Sequence, residues 1–131
     1  MLIDTSRFLC CFEGDESRHE LAVQCYHAAT VRLTHNYVLA EFVALAQARR
    51  LPREDSLAFA DEILIDPEIE VVWMDSTMHG EAMRFIRSRL DKTFSLCDAV
   101  SILLMKQRGI SEALTTDYHF DQACMRRLLP R

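Results

Sequence analysis

Asp4, Glu41, Asp98 and Asp117 stand where a solvated surface does not account for them. Asp4 follows Leu2-Ile3, a short apolar start with the character of a buried strand, and Asp117 follows the β-prone run Ala113 to Thr115. Both would point into the crevice at the carboxyl ends of parallel strands, where open α/β sheets bind ligands. Glu41 comes three residues after Val38 and four before Leu45, which puts it at the edge of an apolar helical stripe. Asp98 shares a helical row with Ile102 and Met105, the row that faces a core. A carboxylate is seldom buried unless it is paired or coordinates a metal. Taken singly, each of the four could be an N-cap or a partner of a nearby arginine, and for Asp98, near the start of its helix, capping is a serious rival. If all four converge, two carboxylates about 5 Å apart repel by about 3 kcal/mol at an effective dielectric near 20. A divalent cation relieves that repulsion. An all-oxygen set with few protein ligands suits Mg²⁺ or Mn²⁺, and such a site can activate a water for in-line attack on a phosphodiester.

The elements that must position these acids alternate along the chain. Glu16 to Ala29 has helical periodicity, and Val31 to Thr34 reads as a short strand. Tyr37 to Arg50 is a helix blocked by Pro52, and Arg53 to Ile65 is another, closed by Asp66-Pro67. Glu70 to Met74 reads as a strand around Val-Val-Trp. Asp75 or Ser76 caps a helix running to about Ser88, and Leu96 to Arg108 is a helix stopped at Gly109. A last strand covers Ala113 to Thr115, and Leu128-Leu129-Pro130 could add an edge strand. Short apolar strands separated by helices predict an α/β fold: a three-layer α/β/α sandwich on a mainly parallel sheet.

The chain has 131 residues, 50% hydrophobic and 27% charged, with three Gly and three Pro. These proportions predict a single folded domain over 1-131 and argue against disorder. No apolar run approaches the roughly 20 residues of a membrane span. The N-terminus carries no secretory pattern, which leads to the expectation of a cytoplasmic protein. The odd count of five cysteines, Cys10, Cys11, Cys25, Cys97 and Cys124, without C-x-x-C spacing, reads as buried reduced thiols. The histidines His19, His27, His35, His79 and His119 share no ligand spacing, and none is assigned a role.

Four segments carry a family resemblance. Leu2-Ile3-Asp4-Thr5-Ser6, Val38-Leu39-Ala40-Glu41, Ser95 to Ser101 around Asp98, and Leu114-Thr115-Thr116-Asp117-Tyr118-His119-Phe120 resemble, in order and spacing, the acidic blocks of the PIN domain, and of the VapC-type toxin ribonucleases in particular. The likeness spans essentially the whole chain. It implies a PIN-like α/β/α sandwich and a Mg²⁺- or Mn²⁺-dependent endoribonuclease acting as the toxin of a type II toxin-antitoxin pair. Asp4 and Asp98 map onto the principal metal ligands, and Glu41 and Asp117 onto the acids that complete the site. Thr5, Ser6 and Thr116 could orient these acids or the attacking water, although short polar residues after strands are more often turn or cap residues. Asp121 is a fifth acid nearby, with an accessory or a surface role equally open. Cys124 stands where relatives commonly have glycine. The resemblance also implies a cognate antitoxin partner, expected to reach toward the acids with a basic side chain, and a homodimer.

The formal net charge of -5 argues at first against an RNA substrate. The charges are uneven, however. Residues 84 to 108 hold Arg84, Arg87, Arg89, Lys92, Lys106 and Arg108 against Asp91 and Asp98, so Arg87, Arg89 and Lys92 are candidates to hold phosphates beside the acids. Further basic clusters are Arg49, Arg50 and Arg53, and Arg126, Arg127 and Arg131. Residues 54 to 75 carry eight acids and no Lys or Arg, a solvated or partner-facing surface. The competing readings are a non-catalytic PIN-fold module for RNA or protein binding, and a haloacid-dehalogenase-type phosphatase. The latter needs a second Asp where Ser6 stands.

Overall fold

The computed structural model describes residues 1–14 and 16–130. Twelve elements follow in the order β1 (Leu2–Ile3), α1 (Thr5–Glu13), α2 (Glu16–Ala28), β2 (Leu33–His35), α3 (Asn36–Ala48), α4 (Arg53–Ile65), β3 (Glu70–Val72), α5 (Ser76–Arg87), α6 (Leu96–Arg108), β4 (Glu112–Leu114), α7 (His119–Gln122) and β5 (Arg126–Arg127). The five strands form one sheet in the order β3-β2-β1-β4-β5, with every neighbouring pair parallel. Leu2 faces Leu33 on one side and Ala113 on the other, and Ile3 faces Leu114. Successive strand residues point to opposite faces. Thus Ile3 and Leu114 join the core of α1 to α4 (Phe8, Val38, Phe42, Ile63), while Leu2 and Ala113 join that of α6 (Ile102, Met105) and Phe120. This is the expected α/β/α sandwich.

Strand order reverses between β1 and β4, so the crevice that a doubly wound sheet offers to ligands opens between the ends of these two strands. Asp4 ends the first, and Thr115 to Asp117 follow the second. A helix expected from Leu96 to Arg108 has those bounds, opened by a capping box at Ser95 and closed by Gly109 at φ 64°. Asp75 caps α5 by accepting from the Met78 N–H.

Several expectations shift. The second strand begins at Leu33, because Val31 is exposed while Leu33, Thr34 and His35 are buried. Strand β3 stops at Val72, leaving Trp73 66% exposed beyond the sheet's edge strand. The last strand is Arg126–Arg127 rather than 128–130. Helices α1 and α7 were not expected. For α1 the available signal was the spacing of Phe8 and Phe12 followed by Gly14, which takes φ 74° as a helix-terminating residue. The cysteines are free but not uniformly buried: Cys97 is, Cys10 and Cys25 are half-buried, and Cys11 and Cys124 are exposed. Cys124 sits at φ 61°. The turn thus keeps the left-handed conformation that glycine adopts without steric cost, with a cysteine in it.

Candidate functional site

The ends of β1 and β4 place Asp4 and Asp117 on one cleft, and burial makes Asp4 the most constrained acid. It is 5% exposed, one residue beyond β1. Its Oδ2 accepts from the Thr115 hydroxyl at 2.7 Å. Thr115 in turn accepts from the Asp117 N–H at 3.0 Å and lies 3.1 Å from the Ser6 hydroxyl, which accepts from the Thr116 N–H at 3.1 Å. Thr115 has one hydroxyl proton, given to Asp4, so Ser6 is the donor in the Ser6–Thr115 pair. The chain of bonds fixes one oxygen of Asp4 and ties the ends of β1 and β4 together.

This network reassigns one residue. Of the two adjacent threonines it is Thr115, not Thr116, whose side chain holds Asp4. Thr116 enters through its backbone, with its N–H bonded to Ser6 and its C=O accepting from Arg127. Thr115 is fully buried, and as the residue following β4 its hydroxyl turns toward the neighbouring strand's end. Thr5 is buried beside Asp4 with its hydroxyl oxygen lacking any partner.

Asp98 is 7% exposed in the first turn of α6. The capping role and the site role coexist there: Oδ2 accepts from the Ser95 N–H at 2.9 Å, and the Ser95 hydroxyl accepts from the Asp98 N–H at 3.0 Å. Helix α7 brings in His119, the residue that sequence reasoning left without a role. Its Nδ1 lies 2.7 Å from Asp117 Oδ1 and 3.7 Å from Asp98 Oδ2, and its Nε2 lies 2.7 Å from the Thr93 hydroxyl. One donor atom from each of Asp98, Asp117 and His119 falls within 4.8 Å of the others. The signal for His119 was its place two residues after Asp117, where an Asx turn (Asp117 Oδ1 accepting from the His119 N–H at 2.9 Å) folds the imidazole back over the carboxylate.

Glu41 is half-buried on α3, close enough to add its charge to that of Asp98 on Asp4. Burial first, then these neighbours, push the Asp4 carboxyl up to about 7, against the opposing bond from Thr115. Burial also raises Asp98, with the Ser95 N–H pulling the other way and Asp117 adding to the rise. The Cys97 thiol, buried beside Glu41 and Asp4, is held protonated. Buried carboxylates of raised pKa, a partnerless hydroxyl and three donor atoms within reach of one another form a set that a small divalent cation satisfies.

The remaining candidates lie around this group. Asp121 is exposed and its carboxylate is paired with Arg127 at 3.1 Å. Arg87, Arg89 and Lys92 are exposed. Arg89 lies over the Phe85 ring at 4.9 Å, and Lys92 approaches Asp91 at 3.7 Å. Thr93, next in the chain after Lys92, carries this basic segment to His119. Asp4, Thr5, Ser6, Glu41, Thr116 and Asp117 line a cleft whose outer wall includes Arg18 and the Arg49–Glu13 ion pair of 2.8 Å. Arg126 is paired with Glu112, and Arg131 lies outside the described residues. No helix of the described residues is long and apolar enough to cross a membrane.

Residues 1–124 match the family model described as PIN domain. Among solved structures, the chain is similar to Mycobacterium tuberculosis VapC20, described as a sarcin-ricin-loop-cleaving toxin, with a TM-score of 0.86, 24% identity and 98% of each chain covered. It is also similar to VapBC2 from Rickettsia felis, solved bound to a DNA fragment from their promoter, with a TM-score of 0.67, 11% identity, and 96% of this chain and 94% of that one covered. No curated protein matches the chain.

Proposed function

The chain belongs to the PIN-domain family, and from that premise we propose that it is the toxin of a type II toxin-antitoxin pair, a Mg²⁺- or Mn²⁺-dependent endoribonuclease. The observation that carries this reading is the pair of buried acids, Asp4 and Asp98, gathered with Asp117 near the reversal point of a parallel sheet. A divalent cation, when bound, supplies the Lewis acidity for hydrolysis of an RNA phosphodiester by water. Asp4, Asp98 and Asp117 would hold it, with Glu41 completing the acidic wall. Thr115 and Ser6 keep Asp4 in one orientation, so little reorganisation is needed when substrate arrives. Arg87, Arg89 and Lys92 would hold RNA phosphates along the segment that Thr93 joins to the acids. That VapC20 is described as cleaving an RNA loop, and that VapBC2 is a toxin-antitoxin complex, supports an RNA substrate and a cognate antitoxin for this chain. A homodimer and a cytoplasmic location follow from the same reading.

The test is cleavage of RNA by the purified protein with Mg²⁺ or Mn²⁺, abolished by chelation and by Asp98→Asn. The products should carry 5′-phosphates, because water and not the 2′-hydroxyl is the nucleophile. Unchanged cleavage by Asp98→Asn would sink the mechanism. Absence of growth arrest on expression would favour the non-catalytic module.

A further inference from the structure

His119 is held as metal ligands are held. Its Nε2 is engaged by the Thr93 hydroxyl at 2.7 Å, and its ring is stacked on Tyr118 at 4.4 Å between centroids and packed near Phe94 at 5.6 Å. The side chain is 14% exposed. An outer partner on the remote nitrogen is the usual device that orients a ligating imidazole. The inner nitrogen, Nδ1, is directed at two carboxylate oxygens, 2.7 Å and 3.7 Å away. One donor atom from each of His119, Asp98 and Asp117 lies within 4.8 Å of the others, close enough for a single small ion to draw them together. A neutral imidazole has one proton for two nitrogens. With the proton on Nδ1 the ring donates to Asp117 and accepts from Thr93. With the proton on Nε2 it donates to Thr93, and an Nδ1 lone pair faces Asp98 and Asp117, the tautomer that a cation between them selects.

We propose that His119 is a nitrogen ligand of the site and sets its metal preference, turning an oxygen-only centre suited to Mg²⁺ into one that favours first-row transition dications such as Mn²⁺ and Co²⁺. Mg²⁺ prefers oxygen donors and retained water, whereas imidazole suits transition metals. Thr93 is the positioning residue, and it links metal binding to the end of the basic segment. This inference rests on the reading of the cleft as a metal site.

The experiment uses the full chain with metal alone, so RNA does not enter. Electron spin echo measurements on the Mn²⁺-loaded protein should show modulation from a directly bound ¹⁴N, and His119→Gln should remove it. Mn²⁺ affinity relative to Mg²⁺, from calorimetric titration and competition, should fall roughly tenfold or more in His119→Gln, and Thr93→Val should weaken Mn²⁺ roughly tenfold while the ¹⁴N signal persists. Mn²⁺-loaded parent protein without ¹⁴N modulation, or an unchanged Mn²⁺/Mg²⁺ ratio in His119→Gln, overturns the proposal. If His119→Gln fails to fold by circular dichroism, the parent's spin echo decides alone. Asp98→Asn separates the two levels: if it abolishes Mn²⁺ binding while His119→Gln changes nothing, the metal site stands and the role of His119 falls. If Asp98→Asn binds Mn²⁺ as the parent does, the metal site itself is wrong.

Discussion

The carboxyl edge of the sheet and the stretch from α4 to α5 hold the same residue types under opposite conditions. Of the eight acids between residues 54 and 75, seven are exposed and Asp66 is half-buried. Their work is local. Glu54 and Asp55 sit in the first turn of α4, where negative charge meets the positive end of the helix dipole. Asp66 Oδ1 accepts from the Glu68 N–H, Glu70 pairs with Arg108 at 2.9 Å, and Asp75 caps α5. At the sheet edge, Asp4 and Asp98 are withdrawn from water, and burial raises the pKa of both carboxyls. Water screens the first group, so it needs no other counter-charge. The second group keeps its ionised form only against desolvation and mutual repulsion, and so has a use for a cation.

Neutralising one acid from each region is the most severe way to break this contrast. Asp4→Asn should lower RNA cleavage by roughly 10³-fold, since a ligand to the cation contributes several kcal/mol to the transition state. Without metal, the same change should raise the melting temperature at pH 8, because a buried unpaired carboxylate is removed. Asp61→Asn on α4 should do neither. A variant of Asp4 that kept full activity would put the two regions on the same footing.

His35 sharpens the comparison by showing burial acting on a base. It is fully buried between the Ser101 hydroxyl at 2.7 Å and the Val38 N–H, and burial lowers its pKa to about 3 from an ordinary 6.5. The unfolded chain therefore binds more protons than the folded one between these values, and stability is complete above pH 6.5 and falls as pH drops toward 3. The loss attributable to His35 should be on the order of 3 kcal/mol at pH 4. Denaturant titrations of the parent and His35→Gln across pH 4 to 7 should show the variant with the shallower acid limb.

A smaller effect separates the regions by metal. At a hundredfold excess over its dissociation constant, Mn²⁺ should stabilise the parent by about 2.7 kcal/mol, a melting shift of about 10 °C for a chain of this size. Asp98→Asn should lose that shift, and Asp61→Asn should keep it. Smallest of all, Glu54→Gln or Asp61→Asn should change unfolding free energy by no more than about 0.5 kcal/mol in denaturant titrations.

The sequence was most legible where its signals were local. Helix α6 could be bounded to the residue, because Ser95 and Gly109 punctuate it and the apolar row from Ala99 to Met105 fills it. Helix α4 was equally clear between Pro52 and Asp66-Pro67. Asp98 stood out because a charge in an apolar row violates a period that one segment displays, and Asp4 because it directly follows a short apolar strand. Helix α1 was missed where Cys10-Cys11 interrupts a plain alternation of faces, and strand β2 was placed two residues early because β-branched character does not reveal which residues become buried.

The chain by itself thus determined the sandwich, its helices from α2 to α6 and the two acids that are out of place, all properties of periodicity and capping within a dozen residues. Tertiary structure alone decided that Thr115 rather than Thr116 grips Asp4, that Asp121 turns away to Arg127, and that His119 joins Asp98 and Asp117. The first of those facts depends on strand ends meeting across 111 residues of sequence. Which neighbouring side chain reaches such a junction is set by strand register and burial, and no local pattern encodes it.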